Sequence, residues 1–208
     1  MIEFPLVLER CALVVNDLEE KMVDPSSPFY APTAVEAMIN LLPLVEFCRR
    51  RNIPTVFALI GPEQTKEKGV MRVDLPEGTV IDLSLSRLAD RLGSHPNDFV
   101  FIKRWMSGCI SGTPVVDYLR ERQRDTLMVA GATLQYGCDT TIREATKSGF
   151  KVAALSDCCA ARPFSDQGWG TIDLEQVRKV YFSTWRIGYA RVLTAAEALA
   201  ELSVQGTK

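Results

Sequence analysis

Histidine is almost absent from this chain, which holds one, His95, among 208 residues. Zinc sites draw on histidine and on closely spaced cysteines, and none of the six cysteines (Cys11, Cys48, Cys109, Cys138, Cys158 and Cys159) stands in a Cys-x-x-Cys pattern. No metal and no other cofactor is expected. Scattered cysteines suit a reducing compartment, so a cytoplasmic protein is expected. An excess of one charge is missing too, with 24 Lys+Arg against 26 Asp+Glu. Without a basic face to neutralise phosphates, nucleic acid is not an expected partner. No apolar run approaches the ~18 residues of a membrane span, so no membrane association is expected. The opening MIEFPLVLERCALVVND has acidic residues ahead of its apolar run and lacks the basic region and small-residue cleavage site of a signal peptide. The loop at Gly131 lacks G-x-G-x-x-G, and G-x-x-x-x-G-K-[ST] does not occur, which disfavours a nucleotide site.

What is present is a composition that is 47% hydrophobic, sufficient for one core and read as a single domain over residues 1–208. Short β-rich apolar runs recur at Ala12 to Val15, Thr55 to Ile60, Phe99 to Ile102, Thr126 to Ala130, Val152 to Leu155 and, more weakly, Ala190 to Leu193. Between them lie helical patterns. Ala34 to Arg51 ends in three arginines, which suit a helix carboxyl end, and Val115 to Arg122 and Thr140 to Lys147 carry the same spacing. The stretch from Gly61 to Gly78 is polar and bears glycine and proline, as a long loop does. Alternating strands and helices predict a Rossmann-like three-layer α/β/α fold around a mostly parallel six-stranded sheet.

In such sheets ligands bind at the carboxyl ends of the strands. Three expected strand ends carry polar groups: Asp17 after ALVVN, Lys103 after FVFI, and the loop GATLQYGC after TLMVA. An acid, a cation and a helix amino end at one sheet edge form a plausible catalytic set.

These residues resemble the isochorismatase-like hydrolase superfamily, which includes cysteine hydrolases such as nicotinamidases. ALVVNDLEEKMVDP is similar to its opening strand and aspartate, here Asp17, although Glu19 stands where many members have glutamine. FIKRWMSGCISGT resembles the segment that carries its lysine, here Lys103, with Ser107, Gly112 and Thr113 at matching positions. The third motif is DTLMVAGATLQYGCDTTIREATKSGFKVAALSDCCAA, and the likeness extends over roughly residues 10–203. The resemblance implies a pocket often completed by a neighbouring subunit, hence a homo-oligomer, dimer or tetramer, acting on a small-molecule substrate. In the family's amidases aspartate, lysine and cysteine form a triad beside a cis peptide. Carried over, that bond falls at Ala132-Thr133, with the amides of Thr133 and Gly137 as oxyanion donors. Trp105, Gln135 and Tyr136 are candidate substrate contacts, and Arg104 is a further candidate to hold a carboxylate or amide. Trp169, Trp185 and Tyr189 lie where the family places subunit contacts.

The match departs at the nucleophile. The amidase pattern places cysteine six residues after its glycine, threonine ten after and alanine fourteen after. Here Gly131, Thr141 and Ala145 keep that spacing ungapped, and the sixth position is Gly137, with Cys138 one residue late. One residue turns a helical side chain by about 100°, enough to move a thiol from pocket to packing, where a free cysteine behaves as a small hydrophobe. Members with glycine in that slot cleave a vinyl ether, with the aspartate as general acid. Three readings follow: cysteine-independent hydrolysis through Asp17 and Lys103, amide or ureide hydrolysis through Cys138, and a catalytically silent member that binds a small molecule or a protein.

Overall fold

A computed structural model of the chain describes residues 1–60, 82–103 and 108–206. Six strands, β1 (Cys11–Asn16), β2 (Thr55–Leu59), β3 (Phe99–Ile102), β4 (Thr126–Ala132), β5 (Lys151–Ala160) and β6 (Arg191–Leu193), form one sheet in the order β3-β2-β1-β4-β5-β6. Every pairing is parallel. The apolar runs explain why: β1, β2 and β4 are buried along their whole length, as strands covered on both faces must be.

Helices cover both faces. The first face carries α1 (Glu20–Val23), α2 (Ala34–Arg50) and α6 (Ala195–Ser203), whose Met22, Met38, Leu41, Leu44, Ala198 and Leu202 pack on Leu13, Val15, Phe57 and Met128. On the second, α3 (Val115–Glu121), α4 (Asp139–Lys147) and α5 (Leu174–Gly188) bring Val115, Leu119, Ile142, Ala145, Val177 and Trp185 against Val14, Val56 and Val129. This is the three-layer α/β/α arrangement expected from the sequence. The polar stretch from Gly61 to Gly78 lies outside the described residues. None of the described helices is long and apolar enough to cross a membrane.

Three helices were not foreseen, the short α1 and then α5 and α6, and each of the last two begins with a reciprocal cap. Asp173 accepts the Gln176 N–H while Gln176 accepts the Asp173 N–H, and Thr194 and Glu197 repeat the device. Trp185 belongs to α5 and is fully buried, with its indole N–H donating to Asp139 Oδ1 at 2.7 Å. It is therefore a core residue and not part of a subunit-contact patch. Tyr189 is partly buried against the Arg143 guanidinium, and Trp169 is 90% exposed.

The strand order reverses between β1 and β4, which opens a crevice at their carboxyl ends. There the two backbones approach so closely that only glycine fits: Gly131 has φ +129° and pairs with Asn16, and a Cβ on it would stand 2.0 Å from Asn16 O.

Candidate active site

Asp17 is the first residue past β1. Its φ of +46° turns the chain off the strand line while its N–H still bonds Ala58 O at 2.8 Å. Lys103 occupies the equivalent place after β3, its N–H bonded to Leu59 O at 2.8 Å. Both side chains are buried, and they meet across the end of β2 with Lys103 Nζ donating to Asp17 Oδ2 at 2.7 Å. Among the described residues Asp17 Oδ1 has no hydrogen-bond partner.

A second ion pair, not anticipated from the sequence, lies beside the first. Glu19 and Lys21 are fully buried and 3.0 Å apart. Glu19 Oε1 accepts the Ile60 N–H at 2.7 Å, and Lys21 Nζ donates to Ile60 O at 2.8 Å and to Ser86 Oγ at 3.2 Å, with Phe29 beneath it. Four buried titratable groups thus converge on the carboxyl ends of β1, β2 and β3. Burial pushes the Asp17 carboxyl up and outweighs the opposing Lys103 and Lys21 ammonium groups. Glu19 is pushed up to about 7, first by burial and then by Asp17.

The β4 loop completes the crevice. Its Ala132-Thr133 peptide is cis, and Leu134–Cys138 forms a π turn closed by the Cys138 N–H on Thr133 O at 3.1 Å. The turn sets the orientations of its two debated residues. A Cβ placed on Gly137 would lie 3.1 Å from Asp17 Oδ2 and 3.0 Å from Ala132 O, so the position facing the acid is the one without a side chain. Cys138 is fully buried in the apolar layer with Leu134, Ile142 and Ala145. Its thiol is held well up, first by hydrogen bonding to Cys159 and then by burial, the opposite of the lowered value a thiolate nucleophile requires.

The other anticipated residues divide. Ala132, Thr133 and Gln135 are buried around the turn, Tyr136 is half exposed at its rim, and Trp105, with its neighbours Arg104 and Ser107, lies outside the described residues. Two groups on α4 tie down the segment that follows Lys103. Thr141 Oγ1 accepts the Cys109 N–H at 3.0 Å and donates to Asn16 Oδ1 at 3.2 Å, and Glu144 Oε2 accepts the N–H groups of Ser111 and Ile110 at 3.0 and 3.3 Å. Among the described residues no three His, Cys, Asp or Glu side chains gather as metal ligands. Chemically, the crevice offers a carboxyl inclined to hold its proton, an ammonium on one of its oxygens, and a glycine where a nucleophilic side chain would otherwise stand against the acid.

Comparison with known proteins bears on this geometry. A model of the isochorismatase domain matches residues 11–184. Enterobactin synthase component B of Escherichia coli strain K12 is 25% identical over 156 residues, covering 73% of this chain and 53% of that protein. The isochorismatase of Bacillus subtilis strain 168 is 22% identical over 156 residues, covering 73% and 48%. The chain thus spans about half the length of these curated relatives. Among solved structures, a cysteine hydrolase from Pseudomonas syringae pv. phaseolicola superposes with a TM-score of 0.87 at 23% identity, covering 98% of this chain and 97% of that one.

Proposed function

Given that the chain belongs to the isochorismatase family, we propose that it is a hydrolase that cleaves an enol ether in a small molecule by acid catalysis from Asp17, with no covalent intermediate. The observation that carries this reading is the lack of a side chain at Gly137, whose Cβ would stand 3.1 Å from Asp17 Oδ2, so that no thiol stands there against the acid.

Asp17 Oδ2 is held by Lys103, so the unpartnered Oδ1 is the oxygen that carries the proton. It passes that proton to the terminal carbon of the double bond, whose π electrons form the new C–H bond. The positive charge left behind is shared by the adjacent carbon and the ether oxygen. Water adds to that carbon and returns a proton to the Asp17 carboxylate, which Lys103 stabilises while it is charged. The resulting hemiketal breaks its C–O bond to give an alcohol and a ketone. Burial supports the acid form at the start of the cycle.

The companion proposals are a small-molecule substrate, a cytoplasmic setting and a homo-oligomer. Supporting assembly, Trp169 is 90% exposed on a loop closed by the reciprocal bonds of Phe164 and Ile172 at 2.9 and 3.0 Å, and Val180 and Ile187 are exposed on the nearby α5. Light scattering of the purified chain tests it, and a monomer at micromolar concentration rejects it.

The chemistry is tested with an enol ether such as isochorismate and with a panel of amides. Asp17→Asn should lower enol-ether turnover by about 10³-fold, within the usual range for a general acid, while Cys138→Ala should stay within a few-fold of the parent. Amide turnover that vanishes in Cys138→Ala would establish the thiol mechanism instead. A parent protein that turns over neither class, yet is stabilised by one of the compounds, would be a binding protein.

A further inference from the structure

Six buried side-chain nitrogen or oxygen atoms among the described residues have no hydrogen-bond partner. Two are readily accounted for: Glu19 Oε2 sits 3.0 Å from Lys21 Nζ, and the Arg124 guanidinium is bonded through Nη1 to Leu8 O and Glu9 O. The other four are Asn16 Nδ2, Asp17 Oδ1, and Nε and Nη2 of Arg162. All three residues lie at the carboxyl edge of the sheet, Asn16 and Asp17 at the end of β1 and Arg162 two residues beyond β5.

The main chain at Arg162 is fixed on both sides. Ala160 pairs with Ala132, and the Ala161 N–H donates to Thr33 Oγ1 at 2.9 Å at the start of α2. Gln135, two residues from Gly137 in the π turn, clasps the Arg162 backbone, donating to its carbonyl at 2.9 Å and accepting its N–H at 3.4 Å. The same turn therefore presents Gly137 to the acid and holds Arg162 in place. Among the described residues no carboxylate pairs with the guanidinium, and burial pulls its proton affinity down, with Tyr136 opposing. Guanidinium nevertheless stays charged in proteins, and two buried N–H donors without an acceptor are costly. An anion supplied by a ligand would satisfy these two donors. Nε–H and Nη2–H project side by side, the spacing that meets both oxygens of one carboxylate.

We propose that Arg162 is a specificity residue that receives a carboxylate of the substrate through Nε and Nη2, so that the crevice accepts carboxylic acids and discriminates against their amides. The inference rests on the reading above only in taking this crevice as the active site, and it concerns binding and not the proton transfer.

The test is isothermal titration of the full chain with two matched pairs, pyruvate with pyruvamide and benzoate with benzamide. The parent should bind each acid at least about tenfold more tightly than its amide, the scale of one hydrogen-bonded charge. Arg162→Met should bind acid and amide equally, with a melting temperature within a few degrees of the parent. Arg162→Gln, which keeps length and polarity, should lose the preference in the same way, and Arg162→Lys should keep part of it. A parent that shows no preference or binds no acid, or an Arg162→Met or Arg162→Gln variant that retains the preference, overturns the proposal. Asp17→Asn should keep the acid preference whatever its turnover, which separates failure of this inference from failure of the acid-catalysis reading.

Discussion

Gly131 and Gly137 lie in one loop and are required for different reasons. At Gly131 a Cβ would enter the Asn16 backbone at 2.0 Å with φ at +129°, and rigid backbone cannot yield. Gly131→Ala should cost more than about 4 kcal/mol, in the exceptional range for one substitution, and chemical denaturation should show little folded protein. At Gly137 the same methyl meets Ala132 O at 3.0 Å and Asp17 Oδ2 at 3.1 Å, which small shifts can relieve. Gly137→Ala should fold with a loss of about 1 kcal/mol, within the usual range for single substitutions, and lose at least about tenfold in turnover because the methyl fills the approach to the acid. Equal turnover would mean that substrate does not enter along that line. The offset between Gly137 and Cys138 was readable by counting from Gly131, Thr141 and Ala145. The burial of Lys21 and the orphaned guanidinium of Arg162 were not, because both depend on which segments fold over the sheet edge.

At the scale of elements, α4 both follows the π turn and anchors the segment after Lys103. Thr141→Val removes the acceptor of the Cys109 N–H and the donor to Asn16 Oδ1, leaving buried groups unsatisfied at about 1–3 kcal/mol. It should lower turnover as well as stability, since Asn16 adjoins the acid. A stability loss with unchanged turnover would show that the anchor serves folding alone. On α6, Thr194→Ala removes a reciprocal cap and should cost about 1 kcal/mol without altering catalysis, both read from unfolding curves and initial rates. The six strands and the first three long helices were legible because apolar periodicity and burial coincide in them. The spacings Asp173…Gln176 and Thr194…Glu197 carried an equivalent signal for the last two helices. It was obscured by aromatic residues that suggest a surface patch, although Trp185 faces inward to bond Asp139.

For the whole molecule, buried carboxyls set the response to pH. Glu19 rises from 4.5 to about 7 on folding, and Asp17 moves in the same direction. Such groups stabilise the fold fully below their unfolded values and lose that contribution as pH climbs through the folded ones. At about 1.4 kcal/mol per unit, Glu19 alone accounts for about 3 kcal/mol. The melting temperature should therefore fall between pH 5 and pH 8 by roughly 6–12 °C, given the usual sensitivity of a chain this size, and the fall should shrink in Glu19→Gln. A melting temperature independent of pH across this window would mean that the cluster is charged throughout. Surface carboxylates such as Asp125 are held low by their partners and act only in acid, so they do not mask the effect. The cluster's cation also has an unequal mooring. Asp17 extends from a strand with a neighbour on each side, whereas Lys103 extends from β3, four residues at the sheet margin, with Val100 and Ile102 44% and 50% exposed. Marginal strands open first in amide exchange. Each such opening would carry the ammonium away and leave the acid in place, so the site's charge balance is expected to follow the rate at which amides of that margin exchange.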